Sequence, residues 1–121
     1  MNNKLPKKTH IKSKKIIYHI YNNGNTIKHQ NIKLIWSYMP FYQSPFKFLI
    51  HVPKKLFKSA VLRNKIKRQI TNIIQTNKNL ILSKTIPQKT LLIKIIYSDT
   101  NLSNYNTILN NFTTCIKEIE I

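Results

Sequence analysis

Residues 58–70 read KSAVLRNKIKRQI, and five of these thirteen side chains are cationic (Lys58, Arg63, Lys65, Lys67, Arg68) while none is anionic. Lys54 and Lys55 lie just upstream. Ammonium and guanidinium groups at this density neutralise phosphates and release the counterions condensed around a nucleic acid. Apolar residues recur among the cations, so the same segment must also attach to a core. Its chemistry is that of binding a polyanion.

Bond-breaking chemistry by the protein itself has little to draw on. General acid–base pairs and two-metal nuclease sites need clustered carboxylates, because Mg²⁺ is a hard cation that takes oxygen ligands. Asp99, Glu118 and Glu120 are the only acids, all within the last 23 residues. The four histidines (His10, His19, His29, His51) lack close metal-ligand spacing and have one cysteine to join. Cys115 falls on an apolar stripe, where an inert buried thiol is the ordinary outcome. With a single glycine there is no glycine-rich phosphate loop. No catalytic residue and no metal ligand is therefore assigned to the chain.

The chain's charge sharpens the case for an anionic partner. Lys and Arg total 21 against 3 acids, a formal net charge of +18. Self-repulsion of that size opposes compaction unless a polyanion relieves it. Residues 1–98 hold twenty of the cations and none of the acids. An overall bias toward Ile, Asn and Lys explains many lysines, but it does not explain why the acids are confined to the end. A solvated helix face usually mixes signs, and this one has no carboxylate within thirty residues. The 121 residues suffice for one core. A lone cysteine excludes an internal disulfide and points to a reducing, cytoplasmic setting. No apolar run approaches the length of a membrane span or a signal-peptide core.

The elements that must position the cations follow from hydrophobic period. Residues 1–12, basic and aperiodic, read as a flexible arm, leaving 13–121 as a single nucleic-acid-binding domain. Ile16, Ile17, Ile20 and Tyr21 recur at helical spacing, and Asn22-Asn23-Gly24 supplies a stop where glycine most often takes a left-handed conformation. IKLIWSYM (32–39) and FKFLIHV (46–52) read as strands, neighbours in a sheet, with Phe46, Phe48, Ile50 and Val52 on one face. Between about Ser59 and Asn77 the period becomes helical, with Val61, Ile66, Ile70, Ile73 and Ile74 apolar and Lys65 and Arg68 projecting oppositely. LLIKIIY (91–97) reads as a central strand. A last helix begins near Ser103 and aligns Tyr105, Ile108, Leu109, Phe112, Cys115, Ile116 and Ile119. Strands with helices interleaved make an α/β or α+β two-layer sandwich.

The order Ala60-Val61-x-Arg63-Asn64-Lys65-x-Lys67-Arg68, preceded by Lys54-Lys55, resembles the signature region of the bacterial ribonuclease P protein component. KKIIYHIYNNG is similar to that family's first helix with its terminal glycine, and FLIHVPKK to the strand leading into the motif. Lys65 stands where the family has Arg, losing the fork suited to bidentate phosphate contact. Thr71-Asn72 replace a frequent Arg-Glu pair. The resemblance implies a small mixed sheet in the order αβββαβα, with the motif helix in a left-handed β-α-β crossover, against the usual hand.

It also implies a function: removal of the 5′ leader of precursor tRNA by a ribonucleoprotein whose RNA subunit is the catalyst and binds Mg²⁺, the protein alone being inactive. Lys54, Lys55, Lys58, Arg63, Asn64, Lys65, Lys67 and Arg68 would meet the catalytic RNA. Lys15, Ile17, Tyr21 and Phe48 would hold the leader, aromatic rings stacking on bases without sequence preference. For Tyr21 and Phe48, plain core packing is the competing reading. Two other partners stay open: a ribosomal or other structural RNA without a nuclease role, and a DNA major groove, which this lysine-dominated helix suits less well.

Overall fold

The computed structural model of the protein describes residues 5–120. Its elements are α1 (Lys14–Asn23), β1 (Asn25–His29), β2 (Ile32–Pro40), β3 (Phe46–His51), α2 (Ala60–Thr76), α3 (Lys78–Leu82), β4 (Lys89–Tyr97) and α4 (Tyr105–Lys117), preceded by a 3-10 turn at Lys7–Thr9. The four strands form one mixed sheet in the order β1-β2-β4-β3. β4 pairs antiparallel with β2 and parallel with β3, so α2 and α3 lie in a β-α-β crossover between β3 and β4.

This order corrects the expectation that 32–39 and 46–52 are neighbours. β4 lies between them because it is apolar on both faces and gains most from the central position. β1, residues NTIKH, follows directly on α1 and was missed by periodicity alone; it is short, polar and largely exposed on the sheet edge.

The two faces of the sheet carry two cores. On one, Ile32 and Leu34 of β2, Phe46 and Phe48 of β3, and Leu91, Ile93 and Ile95 of β4 pack with α2 and α4. On the other, Leu92 packs with Ile11 and with Ile16 and Ile20 of α1. The expected sandwich is thus present, with α1 laid over part of the far face. Asn31 ties the β1–β2 turn to the last helix, accepting from Asn111 Nδ2 at 2.7 Å and donating to Ser103 Oγ at 2.6 Å. The α4 cap is Asn104, one residue beyond the expected Ser103, its side chain accepting from Thr107 N at 2.8 Å.

Three local expectations change. The arm expected at 1–12 is seated from Leu5 onward; its first four residues lie outside the described residues. Leu5 and Ile11 are buried, and Ile11 N donates to Phe48 O at 2.9 Å, so the segment runs along the β3 edge and covers part of it. Gly24 has φ −78° and ψ 144°, an extended conformation open to any residue. Glycine is needed there for space: a Cβ would stand 2.4 Å from Ile20 O and 2.4 Å from Ile35 Cγ2. The left-handed positions are instead Gln30, Gln43 and Gln88. Finally, Val61 is 75% exposed, on the wet side of α2 and not with Ile66, Ile70, Ile73 and Ile74, all of which are buried.

Candidate RNA-binding surface

The motif helix α2 begins where Ser59 Oγ accepts from Leu62 N at 3.3 Å, a side-chain cap that stops the preceding Pro53–Lys58 loop and starts the helical turn. Its buried stripe of isoleucines fixes the rotation of the helix. Asn64, Lys65, Lys67 and Arg68 are consequently exposed together, and Lys54, Lys55 and Lys58 are exposed on the loop before them. A groove of about 490 Å³ runs along this face, lined by Val61, Asn64, Lys67, Arg68 and Thr71.

Arg63 differs from the other motif cations. Its Nη1 donates to Phe57 O at 2.6 Å and to Lys58 O at 2.9 Å, and the side chain is only half exposed. Arg63 therefore clamps the loop to the helix, holding Lys58 in place beside the groove.

The far face of the sheet supplies the second part of the surface. Side chains alternate along a strand, so Leu92, Lys94 and Ile96 of β4 point away from the α2–α4 core, as do Lys47, Leu49 and His51 of β3 beside them. Lys94 is 7% exposed, and its Nζ donates to Tyr21 Oη at 2.8 Å while lying 4.4 Å from the centre of the Tyr21 ring. Tyr21 itself is 65% exposed, so its ring offers a free face over a buried cation. Ile17 is half-buried against Leu92's cluster, and Lys15 is exposed on the same helix.

Phe48 does not belong to this group. It is 3% exposed, sits in the core with α2 and α4, and touches the ring of His10 at 4.7 Å between centroids. The same alternation that buries Phe48 turns Leu49 toward α1, one residue from the position a leader contact would need.

Lys94 and His51 are the functional candidates that sequence reading missed. Within LLIKIIY the lysine passed as an interruption in a buried strand; its parity with Leu92 was the available signal. The pKa of His51 is held below the ordinary histidine value by burial first and then by the charges of Lys94 and Lys67. That electrostatic neighbourhood joins the sheet face to α2 in one positive field.

Among the described residues no three His, Cys, Asp or Glu side chains gather to hold a metal ion. Glu118 instead accepts from His29 Nε2 at 2.8 Å, at the sheet edge far along the chain from α2. The donor set does not fit Mg²⁺. Cys115 is fully buried with its thiol pushed up to about 11, by burial first and by Glu118 second, which makes it inert. No helix is long and apolar enough to cross a membrane among the described residues.

The model of one protein family, Ribonuclease P, matches residues 5–120. This chain belongs to that family. The ribonuclease P fold is also what the solved structures share with it. The RNase P protein from Thermotoga maritima superposes with a TM-score of 0.72 at 19% identity, over 92% of this chain and 97% of that one. The Staphylococcus aureus RNase P protein gives 0.69 at 24% identity, over 93% and 98%. A search of curated proteins finds no match. As a member of the ribonuclease P family the chain is the protein subunit of a tRNA-processing ribonucleoprotein. Among the described residues the α2 groove carries Lys67 and Arg68, and the far face of the sheet carries the exposed Tyr21 over Lys94.

Proposed function

We propose that the protein assists a catalytic RNA in removing the 5′ leader from precursor tRNA, with the two surfaces dividing the work. Lys54, Lys55, Lys58, Lys65, Lys67 and Arg68, with Asn64, bind the RNA subunit through its phosphates, and Arg63 positions the loop they share. Tyr21, Ile17, Lys15 and Lys94 hold the leader, with a base stacked on Tyr21 and a phosphate drawn to the lysines. Hydrolysis of the phosphodiester leaves a 5′-phosphate on the mature tRNA. The RNA subunit holds the Mg²⁺ and supplies the reacting groups, and the protein works in the cytoplasm.

The observation that carries this reading is that Lys67 on α2 and Lys94 on the sheet both bear on His51 between them, in a stretch of chain, residues 1–98, that holds no acid. Unopposed cations cost stability in the free protein, a cost that a bound polyanion offsets. A structural RNA without a nuclease role would also relieve the charge, but it gives no reason for an exposed tyrosine over a buried lysine.

Reconstitution with the organism's own RNA subunit and a precursor tRNA is the test. Leader removal is expected only when protein and RNA are both present, with affinity for the precursor lowered by Tyr21→Ala. Cleavage by highly purified, RNA-free protein would overturn the division of labour.

A further inference from the structure

We propose that the pocket between the N-terminal segment, the start of α1 and the turn into β3 is a second anchoring site for single-stranded RNA. It takes a backbone phosphate among its lysines and a base against Tyr42. The inference rests on the leader-binding role proposed above and extends it to nucleotides of the leader beyond those that Tyr21 holds.

The pocket has a volume of about 390 Å³, within the range of small-ligand sites, and Lys7, Lys8, Lys12, Lys47, His10 and Tyr42 are among its lining residues. Lys47 is its base. This side chain is 3% exposed, yet its Nζ donates only to neutral partners, Lys8 O at 2.6 Å and Gln43 Oε1 at 2.9 Å. It lies 5.1 Å from the centre of the Tyr42 ring, which is itself 46% exposed. Burial pulls the lysine's pKa below its usual value. Among the described residues the ion pair found is His29–Glu118, so Lys47 has no carboxylate partner. Three further lysines crowd the rim, all exposed. Buried charges are ordinarily paired, and the missing pair here is an anion from outside.

Position ties the pocket to the leader surface: Lys47 is paired with Leu92 on the sheet face that α1 covers, and Ile16 of α1 lines the pocket. His10 lines this pocket and also the neighbouring depression, which Leu49, Lys67 and Thr71 share; Lys67 and Thr71 in turn border the α2 groove. The three hollows form one path from the motif helix across the β3 edge to the N-terminal segment. A flexible polyanion fits such a path, its phosphates following the cations and a base meeting the exposed ring at its end.

The test uses the reconstituted holoenzyme and two precursor tRNAs that differ only in leader length, one long and one trimmed close to the cleavage point. Lys7→Ala combined with Lys12→Ala removes two exposed rim charges without touching the core. The double variant is expected to bind the long-leader precursor about tenfold more weakly, and to bind the trimmed precursor and the RNA subunit as the wild type does. Tyr42→Ala is expected to lower long-leader affinity about fivefold or more, again with no effect on the trimmed precursor. Equal losses on both precursors, a loss in titration with the RNA subunit alone, or no loss at all would each overturn the site. If the wild-type holoenzyme itself fails to distinguish the two leaders, the leader-binding role falls and this site with it. If the wild type distinguishes them and both variants do so equally well, only this site falls.

Discussion

At the scale of single residues, Gly24 shows how one atom's worth of space governs an element junction. Alanine there would reduce the freedom of the unfolded chain, a gain of about 0.4–1 kcal/mol where the fold accepts it. The two 2.4 Å approaches of its Cβ reverse the sign, since the backbone carbonyl of Ile20 has nowhere to go. Gly24→Ala is expected to cost about 1–3 kcal/mol, the scale of overpacking, measured by denaturant unfolding. His51 is the pH-sensitive residue of the surface. Its folded-state pKa lies below the ordinary 6.5, so the unfolded chain takes up the proton first. Stability is intact above about pH 6.5 and falls as the pH drops through that value toward the folded-state pKa. RNA phosphates favour the protonated ring, so binding should strengthen over the same descent. Comparing wild type with His51→Gln on both sides of pH 6.5 checks both signs: the variant should lose less stability on acidification and gain less affinity.

At the scale of the element, α2 depends on having two faces with separate duties. Ile70 is fully buried and Arg68 is exposed, although only one residue separates them. Arg68→Ala should leave stability within about 0.5 kcal/mol of the wild type, as surface changes usually do. It should weaken binding to the RNA subunit by about 1 kcal/mol or more, the value of a charge-assisted contact. Ile70→Ala should cost about 2–5 kcal/mol in folding through the cavity it leaves, with RNA affinity nearly unchanged in the folded fraction. Unfolding curves and RNA titrations on the two variants would display the crossed pattern; both residues acting on one quantity would mean the helix is wrongly phased. Arg63 belongs to neither face cleanly, because its bonds to Phe57 O and Lys58 O make it part of the helix's entry.

For the whole molecule, the net charge of +18 makes salt act in opposite directions on folding and on binding. Added salt screens the self-repulsion of the free protein, so its midpoint of unfolding should rise with ionic strength. RNA affinity should fall steeply, with log K declining against log salt by about 0.7–0.9 per phosphate contact and several units in total. Parallel measurements of unfolding and RNA binding across a salt series check the pair of slopes. A flat binding slope would mean that the cations are merely solvated.

The partner class was legible in the sequence because charge is a property of composition: twenty cations without an acid in residues 1–98 need no fold to be counted. The buried phase of α2 and the stripe of α4 were legible for a related reason, since a helix repeats its contacts every few residues and local period reports them. Strand order was not. Whether β2 neighbours β3 or β4 depends on pairings between residues 45 to 65 apart in the chain, and no local pattern encodes which of two apolar strands takes the centre. The same non-local pairing placed Phe48 in the core and brought Lys94 beneath Tyr21, 73 residues away in the chain. It also seated residues 5–12 along the β3 edge, because a basic segment looks unstructured until an unpaired strand is there to receive it. The sequence by itself determined an unopposed positive charge and the two faces of α2; only the tertiary structure decided which lysines share a surface, because long-range strand pairing sets which side chains face one another across the sheet.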